Sequence, residues 1–179
     1  GDYNPSGKLT MSFPRNVGQV PVYYNFKNTG RPSTSIEQVT NSGYADVENS
    51  PLYSFGYGLS YTEFKYSDFE ISSSTMTKDS KINASIRVTN TGNYKGEEVV
   101  QLYLRDIVGS IARPMKELKG FEKIELNPGE SKIVNFEIEN SLLEFYSYNN
   151  VWESEPGKFH VFIGTDSNVR DHKEFYLTD

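Results

Sequence analysis

The sequence predicts an all-β fold on three grounds. Apolar and polar residues alternate in short runs, most clearly in residues 82–88, and this period of two is typical of strands with one buried face. Turn-forming Asn, Pro and Gly residues separate the runs. Aromatic residues make up 14% of the chain, and Tyr and Phe favour strands over helices. These features predict an antiparallel β-sandwich of the immunoglobulin or fibronectin III kind in residues 61–179, preceded by an extended, mostly irregular N-terminal arm.

Seven or eight short strands build the predicted sandwich. The first contains Phe64, Tyr66, Phe69 and Ile71, and its apolar spacing slips from two to three, which indicates a β-bulge. The later strands alternate more regularly. They cover residues 82–88, 99–104, 118–126, 133–138, 159–163 and 175–177.

Three signals between the strands predict how the chain reverses. Residues 127–130, Asn-Pro-Gly-Glu, are typical of a tight turn. Asn149-Asn150 predicts a hairpin between residues 145–148 and 151–153. Ser141 and Glu144 have the spacing of a helix capping box, which predicts one helical turn.

The arm, residues 1–60, has weak periodicity. Leu9, Met11 and Phe13 alternate with polar residues and predict a short strand ending at Pro14. Most of residues 28–50 are turn and loop formers. Residues 51–64, here called the aromatic segment, contain five Tyr or Phe residues, which are expected to pack between arm and sandwich.

Composition excludes several classes of function. The net charge of -6 argues against a nucleic-acid-binding surface, which needs clustered positive charge. No window approaches the roughly 18 consecutive apolar residues of a membrane span, so no membrane partner is predicted. The chain has no cysteine, which excludes disulfides and thiolate metal sites.

No group of side chains has the pattern of a catalytic site. The acidic residues fall in turns and at strand ends, and Glu97-Glu98 is expected to be an exposed charge pair. His160 and His172 are not expected to form a ligand cluster, because a metal site needs three or four converging ligands. We therefore predict no catalytic residue, no cofactor-binding residue and no metal ligand in this chain.

The single tryptophan, Trp152, is expected in the core of the sandwich, as are Tyr146, Tyr148 and Tyr176. The alternative for Trp152 is an exposed platform on which a sugar ring stacks. Burial is favoured because a tryptophan in a small sandwich usually fills the core.

Several motifs, in order along the chain, resemble the C-terminal part of glycoside hydrolase family 3 enzymes. Residues 51–62, Pro-Leu-Tyr-Ser-Phe-Gly-Tyr-Gly-Leu-Ser-Tyr-Thr, are similar to the signature that precedes that family's last domain. Ser54 departs from the family, which often has Pro there, and this affects only local stiffness. The other matching runs are residues 7–14, 17–25, 28–32, 88–92, 113–114, 117–121, 128–130 and 156–159.

This resemblance implies a longer parent enzyme of three domains. A barrel would carry an aspartate nucleophile, an α/β sandwich would carry an acid/base glutamate, and a fibronectin III-like domain would come last. Residues 1–60 would be the tail of the α/β sandwich plus a connector, and residues 61–179 the last domain. Both catalytic carboxylates would lie upstream of Gly1, as the absence of an initial Met also favours. The parent would be a periplasmic or secreted β-glucosidase acting by retention, without metal or cofactor.

Three functions stay open for the chain itself. The favoured one is a non-catalytic module that stabilises or packs against upstream catalytic domains. The alternatives are carbohydrate binding through exposed aromatics and hydrolysis by this chain alone. A homodimer through the arm is also predicted, because a strand at residues 9–13 would leave an unpaired edge.

Overall fold

The computed structural model describes residues 1–28, 43–44 and 46–179, so most of the predicted loop in residues 28–50 lies outside it. The described residues contain ten strands, and the all-β sandwich is confirmed. None of the helices described is long and apolar enough to cross a bilayer. The strands are β1 (Phe64–Ile71), β2 (Thr75–Thr77), β3 (Ile82–Asn90), β4 (Gly96–Asp106), β5 (Glu117–Leu126), β6 (Ser131–Ile138), β7 (Phe145–Tyr146), β8 (Trp152–Glu153), β9 (Gly157–Gly164) and β10 (Lys173–Thr178).

Two sheets form the sandwich. One has three strands in the order β1–β3–β6, and the other has five in the order β2–β10–β9–β4–β5. β7 and β8 form a separate two-stranded ribbon. Residues 176–178 of β10 pair in parallel with residues 75–77 of β2, and the other pairings are antiparallel. The antiparallel prediction thus holds apart from one short edge strand.

The core lies between the two sheets, where their apolar faces meet. The four apolar residues of the alternation in residues 82–88 are each at most 4% exposed. They cluster with Val100, Leu102 and Leu104 of β4 and with buried residues of β5, β6, β9 and β10. Sheets that bury one face have this strict alternation, which is why the sequence pattern located the core.

The bulge predicted in β1 is confirmed. The register of β1 against β3 shifts between Ser67 and Glu70, and Asp68 has a φ of 54°. Asp is one of the few non-glycine residues that tolerates this left-handed conformation. Arg87 Nε lies 2.8 Å from Asp68 Oδ2, so an ion pair links the bulge to β3.

Two predicted turns and the helical turn are confirmed, but the capping box is wrong. Gly129 and Asn150 have φ values of 77° and 59° at their turns. A 3-10 helix, Asn140–Leu142, provides the helical turn. It has no side-chain cap, because the Ser141 hydroxyl donates to the Glu139 carboxylate instead.

The arm folds back on the aromatic segment instead of forming a strand. Leu9 N donates to Tyr57 O, Gly56 N to Leu9 O and Phe13 N to Tyr53 O, each at 2.8 Å. The predicted strand at residues 9–13 is therefore wrong, and only an isolated bridge pairs Phe13 with Tyr53 in this stretch. The argument for a homodimer through an unpaired edge therefore no longer applies, because the backbone groups of Leu9 and Phe13 already have hydrogen-bond partners within the chain.

Gln19 holds the arm to the start of the aromatic segment. It is 1% exposed, its Oε1 accepts from Arg15 N at 2.7 Å, and its Nε2 donates to the carbonyls of Glu48 and Ser50 at 2.9 and 3.1 Å. Arg15 also pairs with the Glu48 carboxylate at 2.8 Å. A buried amide with all of these groups bonded fixes the fold of the arm, because leaving any of them unpaired would cost about 1–3 kcal/mol.

Candidate interaction surface of the arm

The arm covers the outer face of β4. Alternation places Gln101 and Tyr103 away from the core, yet they are only 3% and 0% exposed. Phe55 stacks on Tyr24 with ring centroids 4.1 Å apart, and Tyr24 meets the Tyr103 ring nearly edge-on at 6.1 Å. Aromatic pairs of this kind contribute about 0.5–1.5 kcal/mol each beyond the area they bury. Tyr24 therefore lies between Phe55 of the aromatic segment and Tyr103 of β4, and these contacts bind the arm to the sandwich.

Gln101 connects the arm to two other parts of the chain. Its Nε2 donates to the carbonyls of Gly56 and Thr165 at 3.1 and 2.5 Å, and its Oε1 accepts from the Tyr103 hydroxyl at 2.5 Å. Burial raises the pKa of Tyr103 above its ordinary value, so its hydroxyl stays protonated and remains a donor. Both polar atoms of the Gln101 amide are thus hydrogen-bonded, and their bonds hold the arm and residue 165 against β4.

The loop between β9 and β10, residues 165–172, also contacts the arm. Ser167 N donates to Phe55 O at 2.9 Å. Lys116 supports the loop by donating to the carbonyls of Ser167, at 3.0 Å, and Val169, and its Nζ lies 4.2 Å from the Phe162 ring centroid. Burial lowers the pKa of Lys116 to about 8, because desolvation disfavours its charge.

The acidic pair at residues 97–98 is not simply exposed, so that prediction is wrong for Glu98. Glu98 is 4% exposed and pairs with Lys8 of the arm at 3.1 Å. The Tyr66 hydroxyl donates to the same carboxylate at 2.9 Å. Burial and the charge of Glu98 both raise the pKa of Tyr66. A buried carboxylate requires such partners, and here one of them comes from the arm.

Glu97, the second member, binds the first residues of the arm. Its Oε2 accepts from the hydroxyls of Tyr3 and Ser6 at 2.9 and 3.0 Å and pairs with Lys123 at 2.7 Å. The hydrogen bond from Lys123 and those from the two hydroxyls lower the pKa of Glu97 to about 2. Ionised Glu97 therefore favours the docked arm.

Acid is expected to remove the contribution of Glu97. Its pKa is lower in the folded chain than the ordinary 4.5, so the stabilisation is fully present above about pH 4.5 and is lost as the pH falls toward 2. Urea unfolding of the wild type and Glu97→Gln should differ at about pH 6 and converge near pH 2. Glu125→Gln, which removes an exposed partner of Lys95, is the control and should change stability little at either pH. A gap for Glu97→Gln that stays constant with pH would contradict the assignment.

The N-terminal third of the chain carries much of the exposed apolar surface. In the described residues, 21 large apolar side chains are exposed, and twelve of them lie in residues 1–61, although this stretch is much the shorter part of the chain. The twelve are Tyr3, Met11, Phe13, Val17, Val20, Tyr23, Phe26, Tyr44, Leu52, Tyr53, Leu59 and Tyr61. Exposed apolar surface concentrated in this way is typical of a protein interaction site.

Part of this exposed surface is continuous. The rings of Phe13 and Tyr53 meet edge-on at 6.5 Å, and those of Tyr53 and Tyr57 are 5.1 Å apart. The prediction that the aromatic segment packs between arm and sandwich therefore holds for Phe55 but is wrong for Tyr53 and Tyr61, which are 43% and 56% exposed. We call the patch formed by Phe13, Tyr53 and Tyr57 the arm patch.

Trp152 lies on the surface, so its predicted burial is wrong. It is 68% exposed, and Tyr146, Tyr148 and Tyr176 are also exposed. The reason is that Trp152 and Tyr146 belong to the β7–β8 ribbon, which pairs with neither sheet of the sandwich. Their two rings meet edge-on, with centroids 5.9 Å apart.

The two histidines lie together, which the sequence did not indicate, and whether they bind a metal stays a prediction. The rings of His160 on β9 and His172 in the following loop stack with centroids 4.1 Å apart. Glu174 on β10 places Oε1 3.0 Å from His160 Nε2 and 3.9 Å from His172 Nε2. The sequence missed this cluster because it depends on the β9–β10 pairing, in which Glu174 lies opposite His160.

Two family profiles match the chain in regions that follow this architecture. The glycosyl hydrolase family 3 C-terminal domain matches residues 1–61, which contain the arm, and the fibronectin type III-like domain matches residues 98–167 of the sandwich. A periplasmic beta-glucosidase of Salmonella typhimurium is 56% identical over 168 residues, which make up 93% of this chain and 22% of that protein. The chain belongs to glycoside hydrolase family 3 and corresponds to the C-terminal part of its enzymes.

Other relatives match over nearly the same length. A beta-xylosidase of Formosa agariphila is 41% identical over an alignment of 182 positions, which covers 99% of this chain and 24% of that protein. The crystal structure of beta-glucosidase from Listeria innocua in complex with glucose superimposes with a TM-score of 0.91 at 42% identity, covering all of this chain and 25% of that one. This family 3 chain thus spans about a quarter or less of the length of these relatives.

Proposed function

We propose that this chain is the non-catalytic C-terminal module of a family 3 β-glucosidase and that the exposed face of its arm packs against upstream catalytic domains. The observation that carries the proposal is that the arm is bound to the sandwich and still leaves apolar side chains exposed. The arm is bound to β4 by Tyr24, Gly56 and Lys8, and residues 1–61 also present twelve large apolar side chains to solvent. Among the described residues, the core cluster between the two sheets contains no arm residue, which supports a contact outside the sandwich.

The activity of the parent follows from the relatives and is part of the proposal. Both catalytic carboxylates would lie in upstream domains, and the reaction would be retaining hydrolysis of a terminal β-linked glucose, with one carboxylate attacking and the other protonating the leaving oxygen. The Salmonella typhimurium relative is named periplasmic, which supports a periplasmic or secreted parent. The division at residues 60 and 61 into a connecting part and a sandwich is proposed on the same basis.

A graft onto the Salmonella typhimurium relative tests the proposal. The upstream part of that protein would be joined to this chain, in place of the 168 residues that match it. We expect the graft to hydrolyse a nitrophenyl β-glucoside, whereas this chain alone should not and the relative cut before the matching residues should be unstable or inactive. Turnover by this chain alone that survives repurification would contradict the proposal, as would full stability and activity of the shortened relative.

A second function, sugar binding by the β7–β8 ribbon, is favoured by the exposure of Trp152. Stacking on carbohydrate needs an open aromatic face, and Trp152 is 68% and Tyr148 80% exposed. Since Trp152 is the single tryptophan, its fluorescence reports directly on this surface. On this second proposal, soluble β-glucan should shift the emission saturably while an α-glucan should not. An unchanged spectrum at millimolar sugar would remove it.

A further inference from the structure

The cluster of His160, His172 and Glu174 has the geometry of a metal site. Its ligand atoms, two imidazole nitrogens and one carboxylate oxygen, all lie within 4.8 Å of one another. A tetrahedral zinc ion with bonds of about 2.0–2.1 Å places its ligand atoms about 3.3 Å apart. The separations of 3.0 and 3.9 Å from Glu174 Oε1 to the two Nε2 atoms lie on either side of that value. The imidazole rings would have to rotate out of their stacked arrangement to direct both nitrogen lone pairs at one ion, while the ligand atoms themselves are already close enough.

A hydrogen bond outside the cluster prepares His172 as a ligand. His172 Nδ1 lies 3.1 Å from the carbonyl oxygen of Arg170. A carbonyl only accepts, so Nδ1 carries a proton, and the tautomer with this single proton presents the Nε2 lone pair toward Glu174 Oε1. Two acceptors, Nε2 and Oε1, then face each other. Imidazole ligands of metal ions are commonly oriented by a carbonyl in this way, and a cation here would replace the proton that joins His160 Nε2 to Oε1 and would also bind His172 Nε2.

Neighbouring charges narrow the choice of metal. Lys158 Nζ donates to the other oxygen of Glu174 at 2.9 Å, and Arg105 lies opposite His160 in the β4–β9 register. These cations disfavour an ion held mainly by charge. Ca²⁺ and Mg²⁺ need six or more oxygen ligands, of which the cluster offers one, whereas imidazole suits Zn²⁺, Ni²⁺ and Cu²⁺.

We propose that His160, His172 and Glu174 form a binding site for a transition-metal dication such as Zn²⁺. The protein supplies three ligands, and because His172 and Glu174 are exposed, water completes the coordination and the ion exchanges with solvent. Bound metal would join β9, β10 and the loop that carries Ser167, which bonds Phe55 of the arm. The role of the site is therefore structural, as an added crosslink at the end of the chain.

Titration of zinc chloride into the 179-residue chain, prepared without a histidine tag, tests the site by calorimetry. We expect saturable binding of one Zn²⁺ per chain and none of Mg²⁺. At a free zinc concentration of one hundred times Kd, the thermal midpoint should rise by about 5–10 °C. Because the chain has only two histidines, His160→Gln/His172→Gln removes every imidazole and should abolish both effects.

Glu122→Gln is the matched control for the carboxylate. Glu122 on β5 pairs with Lys132 at 3.0 Å, as Glu174 pairs with Lys158. Unlike Glu174, Glu122 does not belong to the histidine cluster. Binding should survive Glu122→Gln and weaken at least tenfold in Glu174→Gln.

Two results would overturn the site. One is the absence of saturable zinc binding by the wild type, and the other is equal binding by the double histidine variant, which would mean adventitious binding to surface carboxylates. Imidazole proton resonances of the wild type give a readout that needs no variant. Both histidines should shift as one equivalent of zinc is added, and unshifted resonances would also overturn the proposal.

Discussion

Gly56→Ala is expected to detach the arm from the sandwich. Gly56 has a φ of 82°, a conformation that costs a residue with a Cβ about 1–2 kcal/mol. A Cβ at this position would also lie 2.2 Å from Oε1 of the buried Gln101. Gln101 would have to move and would lose its bonds to Gly56 and Tyr103, at about 1–3 kcal/mol for buried groups left unpaired. We expect a loss of about 3 kcal/mol or more in the free energy that holds the arm in place.

Limited trypsin digestion measures this effect directly. Lys8 and Arg15 lie in the arm, so a detached arm should be cut there much faster than in the wild type, while the sandwich stays resistant. Gly129→Ala is the matched control. Gly129 has nearly the same φ, 77°, but nothing lies within 4 Å of the added methyl group. It should lower overall stability by about 1 kcal/mol without exposing the arm. Equal digestion patterns for the two variants would show that the contact with Gln101 is not what holds the arm.

Phe13→Ser/Tyr53→Ser is expected to weaken the contact between arm and catalytic domains in the grafted enzyme. This prediction rests on the proposed function. The two side chains are 42% and 43% exposed in this chain and form much of the arm patch. Burying the exposed part of two such rings at about 25 cal/mol per Å² contributes on the order of 3 kcal/mol. The grafted enzyme should therefore unfold, or separate its domains, at a clearly lower urea concentration and lose activity in parallel.

The same double variant of the isolated chain shows whether Phe13 and Tyr53 act through contact with the catalytic domains or through the folding of this chain. Its stability should change less there than in the graft, because the exposed part of each ring makes a contact only in the graft. Val108→Ser/Ile133→Ser is the control, since both residues are exposed apolar side chains of the sandwich, at 77% and 48%. It should be tolerated in both settings. Equal losses from the two double variants in the graft, or an equal loss from the arm variant with and without the upstream domains, would contradict docking through the arm.

The sequence located those features that depend on neighbours within a few residues. The alternation in residues 82–88 identified one wall of the core, the slip in spacing near Asp68 identified the bulge, and Gly129 marked its turn. The failures share one cause. Residues 9–13 alternate like a strand, but their hydrogen-bond partners include Tyr53 and Tyr57, forty or more positions away. Local pattern cannot show which distant segment is available to pair.

By itself, then, the sequence determined the fold class and the core face of β3, because the repeating geometry of a strand imposes them locally, and its motifs identified the family. Only the tertiary structure decided what covers the other faces. Gln101 and Tyr103 look like solvent-facing residues but are buried by the arm, and Trp152 looks like a core residue but lies on a ribbon outside the sheets. The period of a strand states which side chains share a face, whereas the packing of separate segments decides whether that face meets protein or water.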